Sequence, residues 1–145
     1  MKTIFVFILL FVFIGVSAPI NHRSKIKRIA YIEVGAVEQP DYILKSIIEV
    51  ESSGREKIIN KKEQAYGLLQ IRKQMIIEAN NIAGYNKYHL RDALSRKKSI
   101  EIWYLVQHHR NPNYDLCKAC LIWNGVGKTS RIYHKKVLMQ LNKFL

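Results

Sequence analysis

Cysteine is scarce in this chain: 145 residues contain only Cys117 and Cys120. One pair cannot staple a small fold together, so a disulfide-framed scaffold is excluded. Seven glycines and three prolines are too few for a collagen-like or low-complexity chain. No stretch alternates apolar and polar residues over a useful strand length, and no segment repeats itself. Acidic residues are also in deficit, with 11 Asp and Glu against 24 Lys and Arg and a formal net charge of +13. That excess favours an anionic partner (nucleic acid, a membrane surface or an acidic wall polymer) without choosing among them. What the chain does have is apolar material. With 48% hydrophobic and 24% charged residues it can bury a core, which excludes wholesale disorder, and its length suits one domain rather than two.

Part of that apolar content is of a different kind. Residues 1–18, MKTIFVFILLFVFIGVSA, open with Lys2, run apolar from Ile4 to Val16 and close on the small-residue pattern Val16-Ser17-Ala18. The run falls short of the ~20 residues of a membrane span and has the build of a secretory signal segment. Export is therefore expected, to the periplasm or the exterior. Pro19 after the cleavage point and the basic flank of Arg23, Lys25, Lys27 and Arg28 oppose clean processing. Left uncleaved, the segment would be the chain's membrane contact. No Cys follows it, so no lipid-anchored form is indicated. Removing it takes away four of the five Phe, leaving Phe144, eight Tyr, Trp103 and Trp123. Tyr and Trp join an apolar face to a polar handle, which suits wet, sugar-like ligands as well as an ordinary core.

Residues 19–39 read as a basic lead-in, and 40–145 as one mainly α domain. Pro40 and Asp41 suit a helix start, with Leu44, Ile47, Ile48 and Glu51 on one face and Gly54 as the left-handed cap. A polar loop follows from Arg55 to Gln64. The spacing predicts a second helix from near Gly67 to Gly84, with Leu68, Ile71, Met75 and Ile82 inward. A turn-rich connection covers Tyr85–Leu94. Ser99 is expected to cap a third helix that ends before Asn111-Pro112. A fourth runs from about Tyr114 to Trp123, and a fifth from Ser130 to Phe144.

Glu51 is out of keeping with its helix. Lys45, Glu49 and Ser52 make the polar side, whereas Glu51 continues the apolar stripe. An inward carboxyl group loses solvation of its charged form, so its pKa rises, and the negative end of the helix dipole pushes the same way. Such a group can keep a proton near neutral pH and donate it. The alternative is a helix-end Glu that turns to solvent or meets a lysine.

The text around it adds a resemblance. Glu51-Ser52-Ser53-Gly54, then Ala65-Tyr66-Gly67-Leu68-Leu69-Gln70-Ile71, Leu121-Ile122-Trp123-Asn124-Gly125 and Ser130-Arg131-Ile132-Tyr133-His134-Lys135-Lys136-Val137 occur in that order. Together they resemble the soluble lytic (SLT) transglycosylases, relatives of goose-type lysozyme that cleave peptidoglycan. That family writes the motifs as Glu-Ser, Gly-Leu-Met-Gln, Ala-Tyr-Asn-x-Gly and Thr-Arg-x-Tyr-Val-x-x-Val. The likeness runs from about Pro40 to Leu141 and implies a lysozyme-like fold.

It also implies roles. Glu51 would be the single acid/base, protonating the glycosidic oxygen between N-acetylmuramic acid and N-acetylglucosamine. It would then take the C6 hydroxyl proton, so that a 1,6-anhydro ring closes without water. Ser52 would orient the substrate or the acid, and Gly67 would allow close backbone approach. Leu68, Leu69 and Gln70 would line the groove. Trp123, standing where the family has Tyr, would keep a stacking face, and Asn124 would bind the sugar. Tyr133 would place its hydroxyl near Glu51 and help hold it protonated. Lys61 and Gln64 depart from the Ser and Gly frequent in the family's loop, while Leu69 for Met nearly conserves volume. Peptidoglycan strands are the implied partner, in wall remodelling, a secretion or conjugation apparatus, or a phage particle. No cofactor, metal or nucleic acid is expected.

Two rival readings remain at this stage. A hydrolytic lysozyme would need a second carboxylate ~6.5–9.5 Å from the acid, for which Glu56 and Glu63 are nearest in sequence. A non-catalytic wall- or nucleic-acid-binding protein would account for the charge, although no reading motif accompanies it. Cys117 and Cys120, three apart on a helix, are expected as buried thiols near Trp123, with a strained disulfide after export as the alternative, because a zinc site would want further ligands at compact spacing. His134 is expected at the surface.

Overall fold

The computed structural model describes residues 39–145. The expected signal segment and nearly all of the lead-in lie outside the described residues. The described part is mainly α, as expected: α1 (Gln39–Ser52), α2 (Lys73–Ala83), α3 (Arg96–Arg110), α4 (Leu116–Asn124) and α5 (Ser130–Leu141). Between α1 and α2 a ribbon of two short strands, β1 (Ile59–Asn60) and β2 (Ala65–Tyr66), pairs antiparallel with Ile59 opposite Tyr66. A 3-10 turn, Leu90–Leu94, precedes α3. Among the described residues no helix is long and apolar enough to cross a membrane.

The core forms where the helical stripes meet. Ile43, Leu44, Ile47 and Ile48 of α1, Ile102, Trp103 and Val106 of α3, Ala119 and Cys120 of α4, and Val137 of α5 are all buried. Each Ile, Leu or Val among them contributes roughly 1.5–3 kcal/mol when removed from water. Helix α5 lies along α1 and also packs on α4, while α2 pairs with α3. The indole of Trp103 stacks near Tyr114 and meets Tyr104 edge-on.

Three boundaries differ from the sequence reading, each for a local reason. The second helix starts at Lys73, not near Gly67. Gly67 (φ 71) and Gln70 (φ 48) take left-handed conformations, and Tyr66 and Ile71 bridge backbone to backbone, so 67–70 is a tight turn. Leu68, Leu69 and Ile71 are still buried, but from that turn and not from a helix face. The third helix is capped by Ser95, whose hydroxyl accepts from the Lys98 amide. Ser99, the expected cap, lies inside the helix and donates to the Ala93 carbonyl at 2.8 Å. Helix α4 begins after Asp115, whose carboxylate accepts from the Lys118 amide at 2.7 Å. The short ribbon was not anticipated, because two-residue strands leave no alternation to read.

The cysteines also differ from expectation. Cys120 is buried, whereas Cys117 is exposed, and both are free. The inward side of α4 carries Ala119 and Cys120, and Cys117 flanks that side and stays open to solvent. Burial pushes the Cys120 thiol up to about 12, so it is inert at ordinary pH. His134 is half-buried, not fully at the surface.

Candidate active site

The apolar stripe of α1 carries Glu51 inward at its last turn, next to Ser52, where the helix ends. Ser53 (φ 50) and Gly54 (φ 78) then turn left-handed and send the chain away, leaving the carboxyl group at the edge of the core. Because α5 lies along α1, Tyr133 arrives opposite. Its hydroxyl donates to Glu51 Oε1 at 2.7 Å, joining residues 82 positions apart. Tyr133 is itself buried.

The two face a cleft of about 470 Å³, within the range of small-ligand sites. Of the residues anticipated from sequence, Glu51, Gln70, Trp123, Asn124 and Tyr133 line it. The Gln70 amide group donates to the Gly67 carbonyl at 2.9 Å, which holds its turn closed. Trp123 Nε1 donates to the Leu69 carbonyl at 3.0 Å, tying the end of α4 to that same turn. Hydrogen bonds therefore tie α4 to the turn and α5 to α1, and these elements together wall the carboxyl group.

The other anticipated residues lie behind that wall. Ser52 is buried and its hydroxyl bonds back to the Ile48 carbonyl at 3.3 Å, as a helical serine does when no other partner is near. Leu68 and Leu69 are wholly buried in the core, so they support the groove without lining it. Gly67 is needed for another approach than a substrate's. A Cβ there would stand 1.7 Å from the Ala93 carbonyl oxygen, so glycine lets the turn pack against the 3-10 segment.

Sequence reasoning missed Arg72 and Lys136, which also line the cleft, and Glu63, considered from sequence only as a base for water, lines it too. Glu63 and Arg72 form an ion pair. Their signal was faint but present: Arg72 follows Gln70-Ile71 directly, and Lys136 lies one helical turn beyond Tyr133. Glu56, the other carboxylate weighed beforehand, pairs with Arg96 at 3.2 Å and is not among the cleft's lining residues. Among the described residues no group of three or more His, Cys, Asp or Glu side chains is placed to hold a metal ion.

The electrostatics follow from these contacts. Glu51 is raised from its ordinary 4.5 to about 7, first by burial. The Tyr133 hydrogen bond and the Arg72 charge pull it down, and the Glu63 charge pushes it up. The expectation that Tyr133 helps hold the proton is thus reversed, because a donated hydrogen bond stabilises the carboxylate. Burial and the neighbouring Glu51 push the Tyr133 hydroxyl well above its ordinary value, so it remains a neutral donor. Glu51 meets no lysine or arginine in an ion pair among the described residues. The arrangement is a carboxylic acid poised near neutrality, oriented by a phenol and facing an open, polar cleft.

Comparison with known proteins bears on what such a cleft accepts. The family model of the transglycosylase SLT domain matches residues 34–131, a span that holds Glu51, the Gly67–Gln70 turn, Trp123 and Asn124 and stops just short of Tyr133. No curated protein and no solved structure matches the chain.

Proposed function

The chain belongs to the transglycosylase SLT domain family, an enzyme kind whose lytic transglycosylase activity is directed at peptidoglycan, and from that premise we propose that it cleaves the β-1,4 bond between N-acetylmuramic acid and N-acetylglucosamine with Glu51 as sole acid and base. The observation that carries this reading is the Glu51 carboxyl group, raised to about 7 and bonded to Tyr133 in the cleft wall. As acid, it passes its proton to the glycosidic oxygen, and the N-acetylglucosamine side departs with a free hydroxyl. As carboxylate, it accepts the proton of the muramoyl C6 hydroxyl while that oxygen closes on C1. The products are a shortened strand and a 1,6-anhydromuramoyl end, with no water consumed.

The neighbours take supporting parts. Tyr133 keeps the carboxyl group turned into the cleft and stabilises it once its proton has gone. Trp123, with its nitrogen engaged by Leu69, offers a fixed ring for a sugar face. Asn124 and Gln70 offer amide groups for hydroxyl and acetamido contacts. We place the enzyme outside the cytoplasm, on the strength of residues 1–18.

Glu63 supports a second reading, hydrolysis, because it lines the same cleft. Its carboxylate is engaged by Arg72 and not free to hold a water, which favours the anhydro route. Products decide. Digestion of purified peptidoglycan should give 1,6-anhydromuropeptides by mass spectrometry, and Glu51→Gln should lower turnover at least ~100-fold while glycan binding persists. Reducing-end products alone would make the protein a muramidase. An active Glu51→Gln variant would remove Glu51 from the mechanism.

A further inference from the structure

The charges of the cleft divide into engaged and unengaged groups. Glu51 takes the Tyr133 hydroxyl. Glu63 and Arg72 neutralise each other. Glu78 turns to Arg110, 2.9 Å away and outside this cleft. Lys136 alone among these cleft charges has neither an ion-pair nor a hydrogen-bond partner among the described residues. It lies one turn along α5 from Tyr133, so both side chains share the helix edge that faces the cleft.

An unpaired cation in the wall of a binding cleft selects an anionic feature of the ligand. On a peptidoglycan strand that feature has one location. The sugars are neutral, and the muramoyl unit differs from its neighbour by a lactyl ether on O3. That arm ends in a carboxylate, or in a stem peptide bearing carboxylates of its own. Arg72 is less suited to receive it, because Glu63 would first have to be displaced.

We propose that Lys136 is a specificity-determining residue that receives a carboxylate of the muramoyl substituent and so distinguishes muramoyl strands from neutral glycans. The assignment rests on the peptidoglycan reading. It sets the register of the strand, since only alternate sugars carry the arm, and the bond presented to Glu51 is then always of one kind.

The test compares wild type, Lys136→Met and Lys136→Arg in the full chain on three substrates. These are peptide-free strands with the lactyl carboxylate, the same strands amidated with methylamine, and peptide-bearing strands. Lys136→Met should raise KM roughly three- to tenfold on a carboxylate-bearing substrate, with kcat held within about twofold. Amidation should bring wild type to the level of the variant and abolish the difference between them, and Lys136→Arg should restore most of the affinity. A loss on the peptide-free strands places the carboxylate on the lactyl arm, and a loss confined to peptide-bearing strands places it on the stem. An unchanged KM on both, or an equal loss on amidated strands, overturns the assignment while leaving the transglycosylase reading intact. A wild-type protein that neither binds nor cleaves any of the three overturns both.

Discussion

At the scale of single residues, Glu51 is governed by opposed influences of unequal size. Burial outweighs the phenol and the guanidinium, and the result is a carboxyl group near 7. If the protonated form begins the reaction, kcat/KM falls as pH rises through about 7. The neighbours then shift that alkaline limb in predictable directions. Arg72→Gln removes a cation and frees the Glu63 charge, and both changes raise the Glu51 pKa, so the limb moves to higher pH. Glu63→Gln removes an anion and frees Arg72, so the limb moves lower. A pH–rate profile of the two variants checks the signs, and a shared direction would contradict the charge arrangement.

The same shift has a consequence for stability. A carboxyl group whose folded pKa exceeds its unfolded value leaves the folded chain binding the extra proton between 4.5 and about 7. Stability is therefore full below 4.5 and declines as pH rises through about 7. The full shift corresponds to at most about 3.5 kcal/mol. Glu51→Gln keeps an acceptor for Tyr133 and carries no charge. It should melt higher than wild type at pH ~8 and close to it at pH ~4, measured by thermal denaturation.

At the scale of elements, the turn between β2 and α2 decides how the cleft is walled. Its sequence, Gly67-Leu68-Leu69-Gln70, was legible as a motif but not as a conformation. Apolar residues at 68, 71 and 75 fit a helical stripe as well as a buried turn, and the left-handed angles at Gly67 and Gln70 settle the matter. A side chain at 67 would collide with the Ala93 carbonyl, so Gly67→Ala should cost roughly 3 kcal/mol or more, with a matching fall in the urea midpoint. Near wild-type stability would mean that the 3-10 segment yields easily. The start of α3 teaches a related lesson. Ser95 and Ser99 are both serines with a helix ahead of them, and only the partner available to each hydroxyl separates the cap from the interior residue.

At the scale of the whole molecule, the helices bring together what the sequence holds apart. The buried core draws on residues from Ile43 to Val137, so the described part carries its own apolar interior. Residues 39–145 produced alone should therefore keep a helical circular-dichroism spectrum and release muropeptides from isolated peptidoglycan. Deleting residues 1–18 from the full chain should retain it in the cytoplasm on fractionation. Loss of the helical spectrum from the shorter chain would assign residues 1–38 a structural part, and export without residues 1–18 would refute the signal reading.

The sequence by itself determined the mainly helical class, the existence and order of the five helices though not the start of the second, and the place of Glu51 on an apolar stripe with its resemblance to a known acid. Periodicity, caps and breakers are local, and a helix forms where its own residues favour it and one face is apolar. The tertiary structure alone decided which residues meet across the fold. Tyr133 reaches Glu51 because α5 packs along α1. Leu68 and Leu69 retreat into the core because their turn is tight. Arg72 and Lys136, among 24 basic residues in the sequence, turn to the cleft because of where their elements are anchored. Contact between distant side chains depends on how helices pack, and that information is spread over the whole core and held by no single motif.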